Sequence, residues 1–263
     1  MTTEAEIFEK ISKALQNNIS AALVTVLNHA GSAPGKEGSI MAVFHNGETA
    51  GTIGGGSLEH SATQKALECI SGNENAELSY SLTEDGMMCG GDVRIYIKVF
   101  SPALRLIICG GGHIGQKLYE LGVLLGFAVT IVDDREEFAD KGSFPKASSV
   151  LSGDIYKILS EMNIDSNCYI ALATRSHATD QQALKAVVDR GAGYVGMIGS
   201  RKKTDTIMKN LLSEGVPQKD LDSVYAPMGL DIASVRPEEI ALSIISEIML
   251  VKNKGSLRHM KAR

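Results

Sequence analysis

The run Leu106-Ile107-Ile108-Cys109-Gly110-Gly111-Gly112-His113-Ile114-Gly115 constrains this chain more than any other feature, together with Asp133 and Asp134 at the end of the next apolar run. It reads as strand, glycine turn, helix, strand and acid, which is the order of a dinucleotide-binding unit. The run begins at about residue 104. The residues before it therefore form a unit of their own, with their own glycine and cysteine loops.

Beyond the first strand, strand signals recur at 128–132, 148–151, 168–173 and 194–198, with a weaker one at 223–226. Helical patterns fill 113–124, 154–162, 178–190, 201–213 and 237–252. This alternation predicts a Rossmann-like, doubly wound parallel sheet over residues 103–263. Ligands of such sheets sit at the carboxyl ends of the strands. That rule selects Gly110, Gly112, His113 and Gly115 at the turn, and Asp133, where an acid can take ribose hydroxyls. It also selects Ser200 and Arg201, beside Lys202 and Lys203. A serine at a helix N-terminus among cations suits a phosphate, and a capped helix with a solvated basic first turn is the other reading. His177, near Arg175 and Asp180, is a candidate general acid or base, or a structural hydrogen-bonder.

Residues 1–102 read as a small α+β domain. Ile7, Ile11, Ala14 and Leu15 share one helical face. Ala21–Leu27, 76–82 and 93–100 read as strands. The segments 40–44 and 49–53 read as a hairpin whose Asn46-Gly47 suits a type I′ turn. Gly54, Gly55, Gly56 and Ser57 then precede a helix over 58–70. Their backbone N–H groups could converge on an anion, and Ser57 could cap the helix or donate to a ligand. Cys89, beside Gly90 and Gly91, is set for close approach to a ligand, either as a reactive thiol or as an inert one. Cys69 and Cys168 fall where a small buried hydrophobe is expected.

Composition excludes several classes. With 44% hydrophobic and 22% charged residues the chain is an ordinary globular one, and a net charge of −5 gives nucleic acid no global attraction. Aromatic residues make up 5%, with no tryptophan, so base-stacking platforms are not expected. The four cysteines are widely spaced, with no CxxC pair, which predicts neither a zinc site nor a disulfide framework. No signal-peptide core and no apolar run of membrane-spanning length is present. The expectation is a reduced, cytoplasmic protein with no nucleic-acid or membrane partner. The basic segment Lys252, Lys254, Arg258, Lys261 and Arg263 reads as a solvated end.

Taken together, the loops resemble the XdhC/CoxI family, accessory proteins that mature molybdenum hydroxylases such as xanthine dehydrogenase. The resemblance rests on Gly31-Ser32-Ala33-Pro34, on Gly51 to Glu59, and on Cys89-Gly90-Gly91. In the second unit it rests on Gly110 to Gly115, Val132 to Arg135, Thr174 to His177, Gly199-Ser200-Arg201 and Gly229 to Ile232. It implies a protein that binds molybdenum cofactor (molybdopterin with its metal) and protects it while a cysteine desulfurase supplies sulfur. Delivery to an apo-molybdenum hydroxylase of the xanthine dehydrogenase type would follow. It implies no metal beyond the molybdenum carried by the cofactor. A phosphate would suit Gly54 to Ser57 or Ser200 to Lys203, and a thiolate at Cys89 would suit molybdenum or transferable sulfur. Many relatives have arginine where this chain has Gly35, and cysteine where it has Ser57.

Three functions remain open at this stage. The first is a cofactor chaperone and insertase without turnover of its own. The second is an NAD(P)- or flavin-dependent oxidoreductase in which His177 or Cys89 carries the chemistry. The third is a nucleotide-sensing regulator. A homodimer is compatible with each.

Overall fold

The computed structural model describes residues 2–31, 35–81 and 91–262. They fall into two compact units, Met1–Ala103 and Leu104–Arg263.

The first unit runs α1 (Glu4–Gln16), β1 (Ala21–Gly31), β2 (Ile40–Phe44), β3 (Thr49–Gly51), α2 (Gly56–Gly72), β4 (Ala76–Ser81) and β5 (Gly91–Phe100). Its five strands form one antiparallel sheet in the order β3-β2-β1-β5-β4. Alternation along β1 divides the core in two. Ala22, Val24 and Val26 face Leu58, Ala62, Ala66 and Cys69 of α2. Ala21 turns the other way and packs with Ile7 and Ile11 of α1. The sheet is thus lined by one helix on each face.

Two sequence expectations need correction here. Only Gly47 of the hairpin turn has a positive φ, at 83°. The Phe44 carbonyl accepts the Gly47 N–H and the Phe44 N–H donates to Glu48. This is a three-residue loop with a left-handed glycine, not a type I′ pair. The helix expected from Leu58 begins two residues earlier, with Gly55 as its N-cap. Ser57 lies inside its first turn and is exposed, so it does not cap it.

The second unit continues with β6 (Arg105–Cys109), α3 (His113–Leu124), β7 (Ala128–Asp133), β8 (Ser149–Ser152), α4 (Ile155–Glu161) and β9 (Cys168–Leu172). It closes with α5 (His177–Val187), β10 (Tyr194–Met197), α6 (Arg201–Ser213), α7 (Gln218–Leu221) and α8 (Pro237–Lys252). The sheet order is β10-β9-β6-β7-β8, all parallel, with the reversal of strand order between β6 and β9. Apolar runs fill both faces, as a sheet covered on both sides requires. Leu106 and Ile108 pack with Leu118 of α3 and Ile244 and Ile248 of α8. Ile107 and Cys109 pack with Leu159 of α4, Leu184 of α5 and Leu211 of α6. The strand expected at 223–226 reduces to one parallel bridge between Tyr225 and Gly196 at the edge of β10.

Leu58 is fully buried, so Leu58→Ala is expected to cost about 2–5 kcal/mol of stability in urea unfolding. Ser57→Ala, at an exposed position that caps nothing, is expected to stay within about 0.5 kcal/mol.

Candidate functional site

The carboxyl edge of the parallel sheet gathers most of the residues that the sequence singles out. Gly110 has φ +119°, and a Cβ there would lie 2.2 Å from the Ala173 carbonyl oxygen at the end of β9. A Cβ on Gly115 would lie 1.8 Å from the Gly110 carbonyl oxygen. These two glycines therefore let β6, β9 and the start of α3 meet backbone to backbone. Gly112 differs, because a Cβ there would meet open space. It is the N-cap of α3, and no side chain caps that helix end. His113, the first helical residue, is exposed. This turn presents open backbone N–H groups and the positive end of a helix dipole, a setting suited to an anion.

Asp133 stands at the end of β7, as expected, but its carboxylate is fully used. Its Oδ2 accepts the Gly111 N–H at 2.8 Å and an Arg135 guanidinium N–H at 3.0 Å. Its Oδ1 accepts the Arg135 Nε–H at 3.0 Å and the Arg135 backbone N–H at 3.1 Å. Burial raises its pKa, but the Arg135 guanidinium and the two backbone donors outweigh that and hold it below the usual range. Arg135 also lies over the Phe138 ring at 3.7 Å. Asp133 thus binds the β7 loop to the glycine turn. The more exposed Asp134 instead meets Arg175, from the loop after β9, at 2.9 Å.

Asp180 is wholly buried in α5. It accepts from the Thr174 N–H at 3.1 Å, the Thr174 hydroxyl at 2.7 Å and the Lys203 ammonium at 2.5 Å. Lys203 also donates to the Ile198 carbonyl. Ser200 caps α6 through the Lys203 N–H, as expected. Lys203, however, turns inward to Asp180, which leaves Arg201 and Lys202 as the exposed cations of that turn. His177 is exposed at the start of α5, while Arg175 and Asp180 are engaged with Asp134 and Lys203. Those three residues are not assembled as a proton-transfer group. Burial, and then the Asp180 and Asp133 charges, push the Cys109 thiol far above its ordinary value, which marks it as inert.

In the first unit, the glycine loop already surrounds an anion of the chain's own. Glu59 Oε1 accepts from the Ile53 N–H at 3.0 Å, the Gly55 N–H at 2.9 Å and the Thr52 hydroxyl. Burial raises the Glu59 pKa, but Thr52 and the backbone donors outweigh it and lower the value. The loop between β1 and β2 returns to the same place, since a Cβ on Gly35 would lie 2.1 Å from the Ile53 carbonyl. Gly31 pairs with Gly91 across β1 and β5. Cys89, Gly90 and the Ser32-Ala33-Pro34 element lie outside the described residues. Cys69, Cys109 and Cys168 are free and buried. Among the described residues no cluster suited to a metal ion occurs, and no helix is long and apolar enough to cross a membrane.

Residues 106–248 match the XdhC Rossmann domain family, and residues 14–81 match the XdhC and CoxI family. The chain belongs to the XdhC/CoxI family. It is 26% identical to the Escherichia coli (strain K12) protein YqeB over 95% of this chain and 47% of that protein. It is 30% identical to a probable xanthine dehydrogenase component of Bacillus subtilis (strain 168), over 61% of this chain and 46% of that one. The chain thus spans about half the length of these two relatives. It is 20% identical to the molybdenum cofactor insertion chaperone PaoD of Escherichia coli (strain K12), over 91% of this chain and 86% of that protein. A crystal structure of a xanthine dehydrogenase from Bacillus halodurans shares its fold, with a TM-score of 0.54 at 20% identity, covering 95% of this chain and 96% of that one.

The sequence alone points to neither the Glu59 nor the Asp180–Lys203 arrangement. The signal for Glu59 is an acid four residues after the N-cap glycine, placed to reach back to the loop. For Asp180–Lys203 there is no local signal, because the partners lie on different helices.

Asp133→Asn is expected to destabilise the second unit by about 3 kcal/mol in urea unfolding, because it leaves Arg135 without its buried partner. An acid that serves only a ligand would leave stability unchanged. Because the folded-state pKa of Glu59 is lowered, its contribution is present above the ordinary Glu pKa and is lost as pH falls through the folded value. Acid-unfolding curves of Glu59→Gln should therefore lose the part of the pH dependence below that ordinary value that wild type shows.

Proposed function

We propose that this protein carries molybdenum cofactor as cargo and passes it to a molybdenum hydroxylase of the xanthine dehydrogenase type. The observation that supports this best is the match to PaoD across nearly the whole of both chains, within one family. The carboxyl edge of the second unit is the natural place for the phosphate of the cargo. It offers the open Gly112 turn at the uncapped start of α3, with Arg201 and Lys202 on the same edge of the sheet. Of the two phosphate positions suggested by the sequence, Gly54 to Ser57 is the weaker, since Glu59 already holds its donors.

In this reading the protein binds, orients and shields, and turns nothing over. Cys89 provides a soft thiolate for molybdenum or for sulfur delivered by a cysteine desulfurase. The setting is reduced and cytoplasmic. A nucleotide-dependent oxidoreductase draws less support. Asp133 is committed to Arg135 and Gly111, and His177 is not assembled with Arg175 or Asp180.

The test is an anaerobic titration of the protein with molybdenum cofactor, with NAD and NADP run in parallel. The cofactor is expected to be retained, and Gly112→Ala and Cys89→Ala are each expected to weaken retention about tenfold or more, with the fold intact by circular dichroism. Saturable nicotinamide binding with hydride transfer, and no retention of molybdenum cofactor, would overturn the proposal.

A further inference from the structure

We propose that the second unit carries a docking groove for an acidic, apolar segment of a partner protein. The groove lies between the loop at 230–232, the last turns of α8 and the segment at 253–259, and encloses about 790 Å³. Leu230, Ile232, Met249, Leu250 and Leu257 supply its apolar lining. Ile232 is 49% exposed and Leu257 73% exposed. Leu242, one turn before the lining residue Ser246 on α8, is 50% exposed and extends the same apolar face. Clustered exposure of this kind is unfavourable in water and marks an interaction surface.

The loop that presents Ile232 is held firmly. The Gly229 N–H donates to the buried Glu247 carboxylate at 2.9 Å, and Glu247 is fixed in turn by the Tyr194 hydroxyl at 2.6 Å. The Leu230 carbonyl accepts the Ser243 hydroxyl at 2.6 Å, and the Leu230 N–H donates to the Ser243 carbonyl. A loop tied to α8 at three points has little freedom left to lose when a partner binds, which favours affinity. This gives the Gly229 to Ile232 motif a role that the carboxyl-edge site does not supply.

Charge selects the occupant. From residue 248 onward the sequence has Lys252, Lys254, Arg258, Lys261 and Arg263, and no aspartate or glutamate, in a chain whose net charge is −5. Arg258 lines the groove itself, with Asp231 as the acidic residue of the lining. Lys252 donates to Asn253 of the lining, so Arg258 and Lys252 set positive charge beside the apolar residues, which suits a segment that alternates acidic and apolar side chains. The concave shape suits a protruding segment of protein better than a flat lipid surface. Such docking is independent of the cargo proposal, and its test involves no cofactor.

The experiment uses fluorescein-labelled synthetic peptides of Glu and Leu, of Lys and Leu, and of Glu and Ser, read by anisotropy against the full chain. The Glu/Leu peptide is expected to bind, and more weakly as salt is raised. Ile232→Ser and Arg258→Glu are each expected to weaken it tenfold or more. Val235→Ser, which changes an 80% exposed side chain outside the groove lining, should leave it unchanged. All three sites are exposed, and unaltered circular dichroism confirms folding. The proposal is overturned by absence of peptide binding, by equal binding of the Lys/Leu peptide, or by indifference to Ile232→Ser. It is also overturned if phosphatidylserine vesicles bind and the peptides do not, or if the groove is found buried in a self-associated form.

Discussion

The second unit depends on a contact that no side chain could make. The Gly110 carbonyl rests against the Cα of Gly115, and the Gly110 Cα rests against the Ala173 carbonyl. Two hydrogens in place of two methyl groups let the start of α3 lie close on the turn after β6 and let the ends of β6 and β9 meet backbone to backbone. From that approach follow the open N-terminus at Gly112 and the position of Asp133 within reach of the Gly111 N–H. The glycine signature is thus first a packing requirement, and only one of its three positions, Gly112, is left free to meet something else.

The polar groups at the carboxyl edge form a connected set. Asp133 joins the β7 loop to the glycine turn, Asp134 joins it to Arg175 of the β9 loop, and Asp180 joins that loop to Lys203 and the end of β10. Asp133 and Asp180 are buried, and buried charges persist only when paired, whereas the exposed Asp134–Arg175 pair adds little. Together these contacts hold four loops in one arrangement before any ligand arrives. The first unit uses the same physics on a smaller scale, with Glu59 gathering the donors of its glycine loop.

Much of the architecture was legible in the sequence. Helices α3, α6 and α8 and strands β2 and β6 fall where the periodicity places them. The misplacements have local causes. Asn46-Gly47 carries a type I′ composition, but the hairpin closes over three residues. Ser57 looks like a cap, but the glycine before the helix takes that role and Glu59 takes the donors. At the carboxyl edge, residues singled out from the sequence lie close together, but the partners that hold them were not foreseen. Pairings such as Asp133 with Arg135 are visible in hindsight as near neighbours. Asp180 with Lys203, and Tyr194 with Glu247, are tertiary facts with no trace in local spacing.

The burial of Cys69, Cys109 and Cys168 has a practical consequence. Each of these thiols sits in a core, and their pKa values are pushed up, in every case chiefly by burial. Alkylating reagents act on the exposed thiolate, so these three are chemically silent while the chain is folded. Reaction at any of the three would therefore report the opening of the core around it, so a thiol reagent doubles as a probe of local unfolding.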